Sequence, residues 1–535
     1  METQKRLLLA TVLSFLIFVG WSIIFKPTEK LAPAETPTTS STISHDSSTP
    51  LPSLSGGKEI FPLATGGGGE DSIETGLYKG SLARRGGGLI SFTLSRFQKH
   101  PLISEGKEAG LLLVCEGCNF NLPVQPLFEK KSSSPGEVVY EWSSPELLLR
   151  RIYRFSEGKY LIDLGVEIEG RKPGGLTGKL GLAWVGSEPE NNSGGFLSFL
   201  KGPPDLKGIV YLAGGRLVHQ GVEKEGVNGT DSGLIAWAGL EDRYFIRTLI
   251  SRGLTQEQPI TYSIDKNSSR LTLYTPPFAI PASGGQAFQF SAYLGPKQME
   301  PLRELGISLD KTIDYGMLSF LALPILYLLK FFHNFVPNWG IAIILLTIFV
   351  KILLNPLTLK GLRQMKQMQK VQPELTLLRE KYKGDKQRLN METMNLFKRH
   401  KVNPLGGCLP MILQMPIYIA LYKVLYSSID LYQTPFFGFY KDLSAPDPYF
   451  ILPIFLGLFM VLQQKLTPNP SADPTQARMM MLMPIMFTGF MVFLPVGLVL
   501  YILVNTVMSV LQQWMSSRDI RWRDLLRGRI VSRPA

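Results

Sequence analysis

Three polar side chains interrupt an apolar run that starts at Asn338-Trp339-Gly340 and ends at Asn355-Pro356-Leu357: Thr347, Lys351 and Asn355, spaced i, i+4, i+8. On a helix this spacing stacks them on one face, and the intervening Ile, Leu, Val and Phe cover the rest. The run from Trp339 to Leu359 is roughly 31 Å long at 1.5 Å per residue, enough to cross a hydrocarbon core of about 30 Å. Lys351 then lies roughly 18 Å in from the Trp339 interface anchor, a little past the midplane. An ammonium at that depth costs several kcal/mol unless it faces water or a partner, which marks a functional site; the alternative is that its long stem carries the charge to the nearer surface. Gln414, between Pro410 and Pro416, and Tyr501 and Asn505 are further polar groups in apolar runs. The sequence shows no phosphate-binding Gly loop and no nucleophile-base pair, so neither enzyme activity nor a cofactor or metal is expected, and the protein should work without ATP.

These residues need a membrane scaffold, and charge gives its orientation. The chain has 535 residues and a net charge of +13, a surplus that belongs to its last two hundred residues. Leu7 to Phe25, behind Lys5 and Arg6, is longer than the core of a cleaved signal peptide and reads as an uncleaved anchor with its amino terminus inside. Further candidate spans are 405–427, 449–466, 479–494 and 496–514, which with 339–359 and the anchor make six. Segment 358–403 holds twelve Lys/Arg against four Asp/Glu and the tail 516–535 six Arg against two Asp, whereas loop 428–448 is net acidic. The basic segments belong on the cytoplasmic side and the acidic loop outside. That alternation closes only if Lys311 to Phe335, broken by Pro324, lies in the outer interface instead of spanning.

Residues 27–69, rich in Pro, Thr, Ser and Gly, read as a flexible tether with a reach of about 35 Å. Between 70 and 297 short apolar runs cut by Gly, Pro, Asn and Asp predict an all-β sandwich, with strands over Val138–Trp142, Leu147–Phe155, Tyr160–Ile168, Leu180–Val185, Leu234–Leu240, Tyr244–Ile250, Arg270–Tyr274 and Ala287–Leu294. His100 and His219 are isolated and read as surface or core histidines. Cys115-Glu116-Gly117-Cys118 reads as a local disulfide or two idle thiols, and Cys408 has no partner in sequence. Segment 358–403 predicts two helices around Lys383-Gly384-Asp385 with a Met-containing face. Such a hairpin fits contact with RNA, acidic protein or apolar peptide, or is a solvated element that only enforces topology. The final pair of helices turns at Leu494-Pro495-Val496-Gly497, and its first arm is rich in Met, a side chain that adapts to variable apolar guests or simply fills a core.

The chain resembles the YidC/Oxa/Alb family of membrane protein insertases over nearly its whole length. The resemblance rests on Trp237-Ala238-Gly239, Asp242-Arg243-Tyr244-Phe245, Tyr293-Leu294-Gly295-Pro296-Lys297, Asp314-Tyr315-Gly316, Asn338-Trp339-Gly340, Asn403-Pro404-Leu405-Gly406-Gly407-Cys408, Gln414-Met415-Pro416 and Gly497-Leu498-Val499-Leu500-Tyr501. It implies a polytopic α-helical membrane protein of six transmembrane helices, with a five-helix core around a hydrophilic groove, plus a periplasmic β-supersandwich. The expected domains are a transmembrane anchor at 1–26, a linker at 27–69, the β-sandwich at 70–297 and a linker with an interfacial helix at 298–337. The insertase core at 338–515 and a basic tail at 516–535 complete the chain. The family's groove cation maps to Lys351, where bacterial members normally carry Arg, so the charge is kept and the fork geometry lost. Thr347, Gln414 and Tyr501 map to its other polar positions; Ile502 stands where some relatives have a second groove Tyr. Met415, Met486 and Asn505 are candidates for the groove or the apolar slide beside it. Lys366, Lys370, Arg379, Lys381, Arg521 and Arg523 are candidates for contact with the ribosome or a targeting factor. The implied partners are nascent membrane proteins, the bilayer, the Sec translocon (SecYEG and SecDF), and the ribosome with the signal recognition particle pathway. The implied setting is a monomer in the bacterial inner membrane, multi-pass, both termini cytoplasmic and the large domain periplasmic. A secondary transporter and a scaffold anchored by its membrane part are the rival readings; the helices show no internal repeat of the kind transporters carry.

Overall fold

A computed structural model describes residues 68–97, 100–134, 136–187, 208–221, 227–252, 257–264, 268–382, 384–400, 409–466 and 474–518. The expected anchor at 7–25, nearly all of the tether, the Asn403–Cys408 motif, Arg521 and Arg523 lie outside the described residues.

The first half is a sandwich of two antiparallel sheets. Among the described residues nineteen strands run from β1 (Glu70–Glu74) to β19 (Gly285–Pro296). One sheet follows the order β1-β2-β3-β5-β10-β17-β16-β13, with β4 and β18 paired at its side; the other follows β12-β11-β14-β15-β19-β9-β8-β7-β6. Each strand expected from alternation is present, among them β8 (Leu147–Phe155), β9 (Leu161–Gly170), β14 (Ile235–Glu241) and β15 (Phe245–Ser251). Along β8 the inward positions Leu147, Leu149, Arg151, Tyr153 and Phe155 are all buried, the period-2 signature of a strand with one face on a core. Cys115, in β5 (Ala109–Glu116), is disulfide-bonded to Cys118, which selects one of the two readings of that pair.

The described helical part comprises α1 (Met299–Glu304), α2 (Ser319–Phe335), α3 (Trp339–Lys381), α4 (Lys386–Arg399), α5 (Leu409–Ser427), α6 (Ile451–Leu466), α7 (Pro474–Met491) and α8 (Val496–Ser517). Among the described residues α3 and α8 are long and apolar enough to cross a membrane; α2, α6 and Leu482–Met491 are shorter apolar helices. The helix bearing Lys351 does not stop near Leu359. It continues unbroken for 43 residues and is itself the first arm of the basic hairpin, with Pro356 and Pro373 inside it. Past the apolar run, Leu, Lys, Gln, Met and Arg are good helix formers, so nothing in the local sequence terminates it. Asp385 then caps α4, its carboxylate accepting from the Arg388 amide at 3.0 Å, and Val371, Leu375 and Leu396 close the hairpin with Met368 and Phe397.

At the other end of α3, Asn338 is the N-cap, accepting from the Ile341 amide at 3.1 Å while its Nδ2 donates to the Phe436 carbonyl at 2.9 Å. A Cβ at Gly340 would fall 2.0 Å from the Phe436 ring, so only glycine lets the helix start against that loop. The buried face of α2 (Ala322, Ile325, Leu326, Leu329) packs with Ala342, Ile343 and Leu346 of α3 and Ala420, Leu421 and Val424 of α5. Its other side exposes Phe320, Tyr327, Phe331 and Phe335.

Candidate groove and its polar seam

The apolar faces of α3, α5 and α8 enclose a seam of hydrogen-bonding side chains. Lys351 is 6 % exposed, and its Nζ donates to Ser509 Oγ of α8 at 2.7 Å. Ser509 in turn donates to the backbone carbonyl of Asn505 at 2.8 Å. The Asn505 amide nitrogen donates to the Tyr418 hydroxyl, and Gln414 Nε2 donates to the Tyr501 hydroxyl at 3.2 Å and lies 3.5 Å from Asn505 Oδ1. One turn further along α3, Asn355 Oδ1 accepts from Gln512 Nε2 at 3.0 Å. Four expected groove residues, Lys351, Gln414, Tyr501 and Asn505, are thus linked in one network.

Two elements of that network were not singled out from sequence, Ser509 and Tyr418. The signal for Ser509 was available: Tyr501, Asn505 and Ser509 repeat on α8 the four-residue polar stripe of Thr347, Lys351 and Asn355 on α3. Thr347 is buried one turn from Lys351, but its hydroxyl donates to the Ile343 carbonyl of its own helix at 2.6 Å and does not join the seam. Met415 and Met486 are both exposed, at 48 % and 49 %, among other outward apolar side chains such as Ile419, Ile454, Leu458 and Phe490. An exposed apolar surface of this extent suits lipid or an apolar guest.

The hairpin cations differ in circumstance. Lys366 donates to the Ser516 carbonyl at the end of α8, a cation on the orphan carbonyls of a helix C-terminus. Lys370 and Lys381 are exposed and Arg379 is half-buried.

The chemistry of the seam follows from its donor set. An ammonium has three donors, and among the described residues the partner of Lys351 is a single neutral hydroxyl, with no carboxylate paired to it. A buried charge so lightly held attracts an anionic or strongly polar group, and Ser, Asn, Gln and Tyr around it can donate or accept as the guest requires. No group of three His, Cys, Asp or Glu gathers among the described residues.

Comparison with known proteins covers the same two halves. Residues 331–523 match the family described as 60Kd inner membrane protein, and residues 71–328 match the family described as YidC periplasmic domain. The chain is 33 % identical to the membrane protein insertase YidC of Geobacter metallireducens over 97 % of this chain and 99 % of that protein. It is 36 % identical to that of Syntrophus aciditrophicus, over 92 % of this chain and 91 % of the relative. A solved structure titled as an active YidC insertase with the first transmembrane domain resolved aligns at 17 % identity and a TM-score of 0.38, covering 83 % of this chain and 92 % of that one. With matched halves in the same order and near-complete coverage at this identity, the chain belongs to the YidC family of membrane protein insertases.

Proposed function

We propose that this protein inserts membrane proteins into the bacterial inner membrane by drawing the hydrophilic tail of an incoming chain into the polar seam at Lys351 and releasing its apolar segment to lipid. The observation that carries this reading is the placement of Lys351: buried on α3, held by Ser509 alone among the described residues, and beside the amide and hydroxyl groups of α5 and α8. A tail crossing the bilayer must shed hydration; a polar seam shortens the dry path, one cation offsets part of the remaining cost, and burial of the apolar segment in lipid drives the step. No bond is made or broken, and the protein acts as an insertase and chaperone rather than an enzyme. The exposed apolar side chains Met415 and Met486 support a slide for the guest beside the seam.

The wider reading carries six spans, both termini in the cytoplasm, α2 in the outer interface and the β-sandwich in the periplasm. Charge supports that orientation. Exposed Lys370 and Lys381, with Arg379, support contact of the hairpin with an acidic surface such as the ribosome or a targeting factor. The protein works as a monomer, alone or with the Sec translocon.

The test is insertion of a short single-span protein with an acidic translocated tail into liposomes that contain only this chain. Lys351→Ala lowers the insertion rate by about 10- to 100-fold, the equivalent of roughly 1.4–2.7 kcal/mol for one lost charge contact, and Lys351→Arg retains it within about threefold. Equal insertion by all three proteins overturns the role of the cation, and passage of a small solute without insertion favours a transporter.

A further inference from the structure

The last turn of α5 is held by the β-sandwich. Arg243, between β14 and β15, donates from Nε to the Tyr426 carbonyl at 2.7 Å. Its guanidinium carbon lies 3.4 Å from the centroid of the Tyr426 ring and 4.7 Å from that of Tyr244. A cation here meets the orphan carbonyls and the negative end of the helix dipole at once, and the ring adds a cation–π contact. The turn that aims Arg243 is closed by Asp242, whose Oδ1 accepts from the Tyr244 and Phe245 amides at 2.9 and 2.7 Å. Beyond the helix, Tyr432 packs on Tyr244 at 4.6 Å and Phe245 at 5.6 Å, and Ile429 is buried in the core of the sandwich.

From this clamp a single file of side chains leads back to the seam. Tyr426, Tyr422, Tyr418 and Gln414 follow at four-residue steps on α5. Tyr422 stacks on Tyr426 at 5.4 Å, and Tyr418 meets Tyr501 edge-on at 5.6 Å while accepting from Asn505. The twelve residues from Tyr426 to Gln414 cover about 18 Å of helix axis. A helix transmits rotation along its length; turning this one by about 20° would move side-chain tips by roughly 2 Å, more than a hydrogen bond tolerates.

We infer that Arg243 is a positioning residue for insertion: by gripping the Tyr426 turn it sets the height and rotation of α5 at which Gln414 and Tyr418 meet Tyr501 and Asn505. The consequence for insertion rests on the groove reading above; the geometric part stands without it. The experiment places spin labels at Ile419→Cys on α5 and Leu462→Cys on α6, both exposed, in the full chain carrying Cys408→Ser, in lipid nanodiscs. Distance distributions are measured with native Arg243, with Arg243→Lys, with Arg243→Gln and with Tyr426→Leu. The expected result is a narrow distribution with native Arg243, a shift or broadening of a few Å in Arg243→Gln and Tyr426→Leu, and an intermediate one in Arg243→Lys, with insertion about tenfold slower in the two altered proteins. Unchanged distributions in Arg243→Gln and Tyr426→Leu overturn the inference, whatever the insertion rate. If Arg243→Gln fails to fold, Tyr426→Leu decides, because it leaves the sandwich intact. A shifted distribution with undiminished insertion upholds the positioning and removes the groove reading instead.

Discussion

Arg151 in the β-sandwich and Lys351 in the helical part are both buried cations, 0 % and 6 % exposed, and among the described residues neither is paired with a carboxylate. Their surroundings differ in kind. Arg151 donates to the carbonyls of Gly86 at 2.8 Å and Leu111 at 2.5 Å, with its guanidinium 5.8 Å from the Phe128 ring centroid and 5.3 Å from that of Tyr153. Gly87 has φ +64°, and a Cβ there would fall 2.8 Å from Arg151 Nη1, so the loop is shaped around the guanidinium. Burial draws the Arg151 pKa below the ordinary guanidinium value, yet the group stays charged because that value is so high. Two backbone carbonyls fix it between the two rings, although its Nε has no partner among the described residues, whereas Lys351 is held by one side-chain hydroxyl. The lesson is that burial alone does not say how firmly a cation is held: Arg151 is fixed by two backbone carbonyls in a loop shaped around it, Lys351 by a single side-chain hydroxyl.

That contrast can be broken at either end. The largest effect is expected for Arg151→Ala, which strands two carbonyls and empties the space between the rings; the sandwich loses about 4 kcal/mol, measured by urea titration of the full chain with near-ultraviolet circular dichroism. Next comes Asp71, buried where Arg84, Lys130 and Tyr140 converge at 3.0, 2.8 and 2.7 Å. Burial alone would raise its carboxyl, but hydrogen bonds from Arg84, Lys130 and Tyr140 hold it well below the usual carboxylate range. Because the folded value is depressed, its stabilisation is complete above the unfolded value of about 4 and fades as pH falls toward the folded one. Asp71→Asn therefore costs about 3 kcal/mol at neutral pH, and the gap from the native protein stays constant above about pH 5 and narrows below about pH 4. The smallest effect is expected at Lys351: Lys351→Met leaves the thermal stability of the helical part within about 1 kcal/mol, because replacing a lightly held buried ion by an apolar chain of similar length is close to neutral. A large stability loss there would show Lys351 to be held as firmly as Arg151 and end the comparison.

The sandwich was legible because alternation along strands such as Leu147–Phe155 reports burial directly. Lys351, Gln414, Tyr501 and Asn505 were legible for the opposite reason, as polar residues where apolar ones are the rule. Tyr418 escaped because Tyr is ordinary in such helices and only its partner across the seam gives it a role; Ser509 escaped although the stripe Tyr501, Asn505, Ser509 pointed to it. The internal bond of Thr347 and the tie from Lys366 to Ser516 depend on rotamers and on which helices meet, neither of which spacing encodes. The single long α3 escaped because hydropathy ends at the membrane edge while helix propensity does not.

That continuity has a mechanical consequence. Thirty residues of α3 lie beyond Lys351, about 45 Å of uninterrupted helix at 1.5 Å each. A helix is far stiffer along its axis than across it. Pro356 and Pro373 cannot donate to the Ile352 and Gln369 carbonyls, so the beam has two compliant points, the nearer one just past Lys351. A sideways load on the hairpin bends the beam at these prolines, while an axial load is carried along the helix toward Lys351.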